Sequence, residues 1–215
     1  MRRPIRVAVI DHGAGNLVSV GEALEDAGAA VSLARRPLDM AGADAIVLPG
    51  VGAAAPAMAR LRRQGLVGAI RRWAADGRPV LGLCLGLQLL MDGSDEDGAR
   101  TLGLIPGRTV RLDGAPRLPH IGWNQVDLLR DDRLFDGIAD GEDLYFVHSY
   151  VVRPAPEVAE VALATTEHGG RFVSAVASGS VRGVQFHPER SGRAGRRIIA
   201  NFVGLAADSR TGGRP

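Results

Sequence analysis

One thiol stands where it could act as a nucleophile. Cys84 is the centre of Gly82-Leu83-Cys84-Leu85-Gly86, between an apolar run and a stretch of helical spacing. This is the strand–nucleophile–helix order of a nucleophile elbow, with cysteine where hydrolases often carry serine. Glycines on either side permit a tight, strained turn. The helix N-terminus favours a thiolate, and the N–H of Leu85 would face a developing oxyanion. The alternative is a buried structural cysteine, the commoner fate of a lone thiol. Far along the chain, Gln185-Phe186-His187-Pro188-Glu189-Arg190-Ser191-Gly192 offers a base. Pro188 biases His187 toward extended backbone, where residues two apart share a face, so His187 and Glu189 can project together. An imidazole oriented by a carboxylate is the pair that activates a thiol. Alone, His187 reads as a satisfied histidine of a surface turn; with Cys84, the order Cys–His–Glu reads as a triad.

Leu48-Pro49-Gly50-Val51-Gly52 closes another apolar run. Ligands of parallel sheets lie beyond such strand ends, so its peptide groups could face the elbow or rotate toward and away from it. An ordinary strand-to-helix turn is the alternative. Gly13-Ala14-Gly15 lacks the third glycine of a dinucleotide loop, Val18 standing in its place, so no nucleotide cofactor is expected. His12, His120, His148, His168 and His187 show no i, i+4 pair and only one thiol exists, so no metal site is expected.

The elements that must position these residues change character along the chain. Ile5–Ile10, Val31–Ala34, Ala45–Leu48 and Pro79–Leu83 read as strands. Leu17–Ala27, Ala53–Arg63, Leu66–Ala75 and Leu85–Met91 read as the helices between and after them. This alternation predicts an α/β fold with a mostly parallel central sheet flanked by helices. From about Gly107, runs at Thr109–Leu112, Gln125–Leu129, Leu144–Val147, Val158–Ala164, Phe172–Ala177 and Val181–Phe186 predict an antiparallel region joined by hairpins. A helix from about Gly195 to Ala206 follows. One domain over residues 1–207 and a flexible tail over 208–215 are expected.

Composition narrows the function classes. The 26 basic side chains, all arginine, nearly balance 24 acidic ones, so a nucleic-acid partner is not expected. The arginines at 60, 62, 63, 71 and 72 lack interleaved aromatics and read as solvated helix faces. No apolar run approaches the ~20 residues of a membrane span, and the start carries no signal-peptide core, so export is not expected. A single cysteine excludes an intramolecular disulfide and suits a reducing, cytoplasmic setting.

The elbow, Pro49-Gly50-Val51-Gly52 and the His-x-Glu segment together resemble the class I, triad-type glutamine amidotransferase family. Asp11-His12-Gly13-Ala14-Gly15-Asn16, Pro119-His120-Ile121-Gly122-Trp123-Asn124 and His148-Ser149-Tyr150 narrow the likeness to the branch serving histidine biosynthesis. The resemblance implies that Cys84, His187 and Glu189 hydrolyse glutamine through a glutamyl thioester. It implies oxyanion contacts from Leu85, Val51 and Gly52, and glutamine contacts from Gln88, Glu96, Ser149 and Tyr150. Ammonia would pass to a (βα)8-barrel cyclase partner in a heterodimer, with Asn16, His120, Trp123 and Arg190 near that partner; no cofactor is implied. His12 stands where tyrosine is common, Ala53 and Ala54 follow the glycine segment where an aromatic is frequent, and Arg117 and Arg190 replace lysines. Two other enzymes remain open at this point: a glutaminase serving a different synthase, and a stand-alone cysteine hydrolase. A non-catalytic module with a vestigial triad is the remaining alternative.

Overall fold

The computed structural model describes residues 3–210 and Gly212. The first half alternates β1 (Ile5–Ile10), α1 (Leu17–Asp26), β2 (Ala29–Ala34), β3 (Ala45–Leu48), α2 (Ala54–Arg63), α3 (Leu66–Ala75), β4 (Val80–Leu83) and α4 (Leu85–Leu90). Strands dominate the second half: β5 (Gly93–Ser94), β6 (Gly107–Arg111), β7 (His120–Leu128), β8 (Glu142–His148), β9 (Tyr150–Pro154), β10 (Ala162–Glu167), β11 (Arg171–Ser178) and β12 (Val181–Val184). Helix α5 (Gly192–Arg210) follows them. All belong to one mixed sheet whose main path runs β2-β1-β3-β4-β12-β11-β10-β7-β8, with β5, β6 and β9 in a side branch paired to β11.

β3 and β4 are apolar and buried at every position because both faces are covered. β1 sends Val7 and Val9 into one core and Ala8 and Ile10 into the other. Leu24 of α1 and Ile198, Ile199 and Phe202 of α5 fill the first core. Met58, Leu61, Ile70, Trp73, Leu87 and Leu90 of α2, α3 and α4 fill the second. Two glycines let α4 approach the sheet. A Cβ on Gly82 would lie 2.7 Å from the Gly86 carbonyl carbon, and one on Gly86 would overlap the Leu48 carbonyl oxygen.

Several expectations from sequence need correction. The run at Val181–Phe186 is strand only over β12, and it pairs parallel to β4 as well as antiparallel to β11. Four residues, Val181-Arg182-Gly183-Val184, carry no mark of their direction relative to a partner a hundred positions away. Val158–Val161 is not strand but part of a 3-10 turn, Pro156–Val161. Pro156 has no N–H for a strand ladder and its fixed φ suits the start of a turn, and at Val158, φ −128° and ψ 29°, two such turns meet at a kink. β7 begins at His120 rather than Gln125, and β9 had no counterpart in the reading. Helix α5 runs to Arg210, so the first residues of the expected tail are helical; residues 211 and 213–215 lie outside the described residues.

Strands β7 and β8 pair His120 with His148. His120 Nδ1 lies 3.1 Å from His148 Nε2, and the His120 ring stacks on His168 with centroids 3.9 Å apart. Burial holds both imidazoles below their usual range, His148 at about 3 with His120 as the next cause, and His120 at about 4 with His168 adding to it. The unfolded chain takes up these protons below about pH 6.5, whereas the folded chain resists until about 4 and 3. Their contribution is therefore complete above pH 6.5 and declines as the pH falls through that window.

Two outcomes check this packing. Gly86→Ala should destabilise by more than about 2 kcal/mol in denaturant unfolding, while Gly204→Ala, a helix position with open space around it, should be neutral or stabilising by up to about 1 kcal/mol. Acidification from about pH 7.5 to 5 should lower the melting temperature of the wild type more than that of His148→Gln. Equal drops would contradict the histidine account.

Candidate active site

The parallel register of β12 on β4 aligns Val184 with Leu83, and Cys84 N–H continues the ladder by donating to Val184 O at 2.8 Å. The residues that follow both strand ends therefore emerge side by side. Cys84 leaves β4 with φ 52° and ψ −106°, the described non-glycine residue with positive φ, and α4 starts at once. Strain of this kind costs about 1–3 kcal/mol and persists only where the surroundings enforce it.

After β12 the chain remains extended through His187, φ −102° and ψ 94°, and then enters a short 3-10 turn at Pro188. His187 Nδ1 bonds Glu189 Oε1 at 2.8 Å, with both side chains buried. Nδ1 must be the donor, because a carboxylate only accepts. Nε2 has no partner of good geometry, but Cys84 is close enough to act on it. Burial disfavours the charged imidazolium, and contacts with Cys84 and Glu189 outweigh it, so that His187 is raised to about 10. His187 is thus an acid at neutral pH. This stabilisation is complete below about pH 6.5 and is lost as the pH climbs through about 10.

Cys84 opens into a cleft of about 460 Å³ lined by Val51, Gly52, Leu85, Gln88, Glu96, Pro119, Val147, His148, Ser149 and Tyr150, among others. Every residue that the resemblance assigns to glutamine or oxyanion binding borders it. Burial, then Asp97, pushes the Glu96 carboxyl up. A second cleft of about 130 Å³ holds His187, Glu189, Asn16, Pro49, Gly50 and Arg190, and shares Val51 and Val147 with the first. A larger hollow of about 560 Å³ beside Trp123 and Arg197 contains neither Cys84 nor His187, so it is not where this chemistry lies.

The residues expected near a partner differ in exposure. Asn16 caps α1 through a bond to Ser19 N–H at 3.2 Å and is exposed. Trp123 is 57% exposed. Arg190 lies over the Tyr145 ring at 4.1 Å, and Tyr145 meets Trp123 edge-on. His120 is the exception: it is 3% exposed and belongs to the interior histidine cluster, not to this face. Alternation explains it, since His120 and Trp123 lie on opposite sides of β7.

Three features escaped the reading from sequence. Gln185 places Nε2 3.6 Å from Cys84 Sγ; its spacing of two from His187 in extended chain is a signal that was available. The Val147 carbonyl oxygen lies 3.7 Å from Sγ, a backbone contact that no side-chain pattern reveals. His12, buried, donates through Nε2 to Pro49 O at 2.8 Å, and a Cβ on Gly50 would lie 2.9 Å from that nitrogen.

Residues 8–205 match the family model of class-I glutamine amidotransferases. The chain is 49% identical to imidazole glycerol phosphate synthase subunit HisH of Moorella thermoacetica, covering 93% of this chain and 94% of that one. It is 48% identical to HisH of Symbiobacterium thermophilum, over 94% and 95%. Among solved structures, a glutamine amidotransferase superposes with a TM-score of 0.75 at 23% identity, over 94% and 98% of the chains. PurLQS from Thermotoga maritima superposes at 0.73 and 20%, over 94% and 99%; these two likenesses concern the fold. The chain belongs to the class-I glutamine amidotransferases, in the family of HisH subunits of imidazole glycerol phosphate synthase.

Proposed function

We propose that Cys84, His187 and Glu189 hydrolyse glutamine and that the ammonia is handed to a cyclase partner, the chain working as a single domain over residues 1–207. The observation that carries this reading is a strained Cys84 that opens into a cleft bordered by Gln88, Glu96, Ser149 and Tyr150, with a Glu189-bound His187 acting on the sulfur from the adjoining smaller cleft.

Sγ attacks the side-chain carbonyl carbon of glutamine, and the carbonyl π electrons move to oxygen. The backbone N–H groups of Leu85 and of the Val51-Gly52 segment hold that oxyanion. Charged His187 gives its Nε2 proton to the amide nitrogen as the C–N bond breaks, leaving ammonia and a glutamyl thioester. Neutral His187 then takes a proton from water, the hydroxide adds to the thioester carbonyl, and glutamate leaves as sulfur is freed. Glu189 keeps the ring in one orientation through both half-reactions and stabilises each return to imidazolium. Gln88, Glu96, Ser149 and Tyr150 hold the α-amino and carboxylate end of the substrate.

Ammonia leaves by the smaller cleft, past Val51 and Val147, toward the exposed face of Asn16, Trp123 and Arg190. Exposed tryptophan and arginine are the types that anchor interfaces. In water, ammonia would be protonated and lose its nucleophilic lone pair, so a closed handover preserves it. The partner is a (βα)8-barrel cyclase that forms imidazole glycerol phosphate and an aminoimidazole carboxamide ribotide in histidine biosynthesis. No helix of the described residues is long and apolar enough to cross a membrane, and a cytoplasmic setting fits the reduced thiol.

In the complex, Cys84→Ala should abolish synthesis from glutamine while leaving synthesis from added ammonium intact. Loss of both activities would make Cys84 structural, and retention of both would remove it from the reaction.

A further inference from the structure

Gln185 is wholly buried, and the mechanism above gives it no task. Its carboxamide could in principle turn either end toward Cys84, so the neighbours must decide. Gln88 Nε2 lies 2.9 Å from the Tyr150 carbonyl oxygen, which can only accept, so that end of Gln88 is its amino end. The second N–H of the same nitrogen meets Gln185 Oε1 at 3.3 Å. Gln185 therefore accepts from Gln88 and turns its own amino group to Sγ, 3.6 Å away.

The Tyr150 carbonyl oxygen also meets a second group. His148 Nδ1 lies 3.0 Å from it and must donate, which leaves His148 Nε2 to accept from His120 Nδ1 at 3.1 Å. Asn124 Nδ2 completes the series, donating to His120 Nε2 at 3.2 Å and to Glu167 O at 2.9 Å. Every donor in the series from Asn124 to Cys84 has one direction open to it. Both imidazoles are neutral near pH 7, as this arrangement requires.

Sγ thus has two unlike neighbours besides His187. The Val147 carbonyl can accept a hydrogen from the thiol, and it has nothing to offer a bare sulfur. Gln185 N–H is a donor in both states, and a donor to a charged atom makes roughly twice the bond it makes to a neutral one. Resting on the assignment of Cys84 as the nucleophile, we propose that Gln185 is a further catalytic residue: its carboxamide N–H holds the sulfur when it carries negative charge. That charge is present before attack on glutamine and again as the thioester collapses. No bond to Gln185 forms or breaks.

The test uses the full chain and its complex with Gln185→Glu and Gln185→Met. The first keeps an acceptor for Gln88 and removes the N–H; the second removes both groups at similar volume. Alkylation of Cys84 by iodoacetamide at neutral pH, followed by mass spectrometry, should slow at least about tenfold in either folded variant. Glutamine turnover should fall similarly in kcat, with KM within about twofold, which a general loss of structure would not produce. In the wild type, the side-chain ¹⁵N–¹H signal of Gln185 should move when Cys84 is alkylated, a measurement that needs no variant. Wild-type alkylation and kcat in a folded variant, or an unmoved Gln185 signal, would overturn the inference. If Cys84→Ala still turned over glutamine, the nucleophile assignment would fail instead, whatever Gln185 does.

Discussion

The structure depends on one constraint: the chain must reverse from strand to helix at a single residue, Cys84, without separating α4 from the sheet. A positive φ at a non-glycine residue is held only because its neighbours leave no alternative. Gly82 and Gly86 remove the Cβ atoms that would push α4 outward, and Cys84 N–H is tied to Val184 O. The same tie brings in the second half of the site. With Leu83 in register with Val184, His187 follows its strand by three residues and arrives beside the elbow. Geometry and strain thus have a common origin in the β4–β12 pairing.

Charge completes what the backbone begins. A buried imidazolium would ordinarily be unfavourable, and here Cys84 and Glu189 together make it the preferred state. The neighbouring His120 and His148 go the opposite way: burial keeps them neutral. One part of the interior therefore contains histidines with contrasting tasks. The charged one can give up a proton during turnover. The neutral ones, with fixed donor and acceptor nitrogens, orient the Tyr150 carbonyl and through it the glutamines behind the sulfur.

Much of this was legible in the residues themselves. The alternation over β1 to β4, the elbow and the His187–Glu189 pair each carry a local signal: glycine spacing, a proline after histidine, apolar runs of strand length. What was not legible is long-range or backbone-borne. The parallel pairing of β12 with β4 leaves no trace in the four residues Val181-Arg182-Gly183-Val184. The burial of His120 follows from β7 beginning five residues earlier than its apolar content suggests, after which alternation separates it from Trp123. The contact of Val147 O with Sγ belongs to a peptide group and has no sequence signature. Gln185 could have been found, because its spacing from His187 places both on one side of an extended segment.

The central claim is that Cys84 is the nucleophile and that His187 acts on it. Treating the chain with a diazo-ketone analogue of glutamine and mapping the adduct by peptide mass spectrometry addresses that claim most directly. The account predicts stoichiometric label on Cys84, prevented by excess glutamine and greatly slowed in His187→Asn. Label on another residue, or an unlabelled Cys84 in a chain that still consumes glutamine, would contradict it.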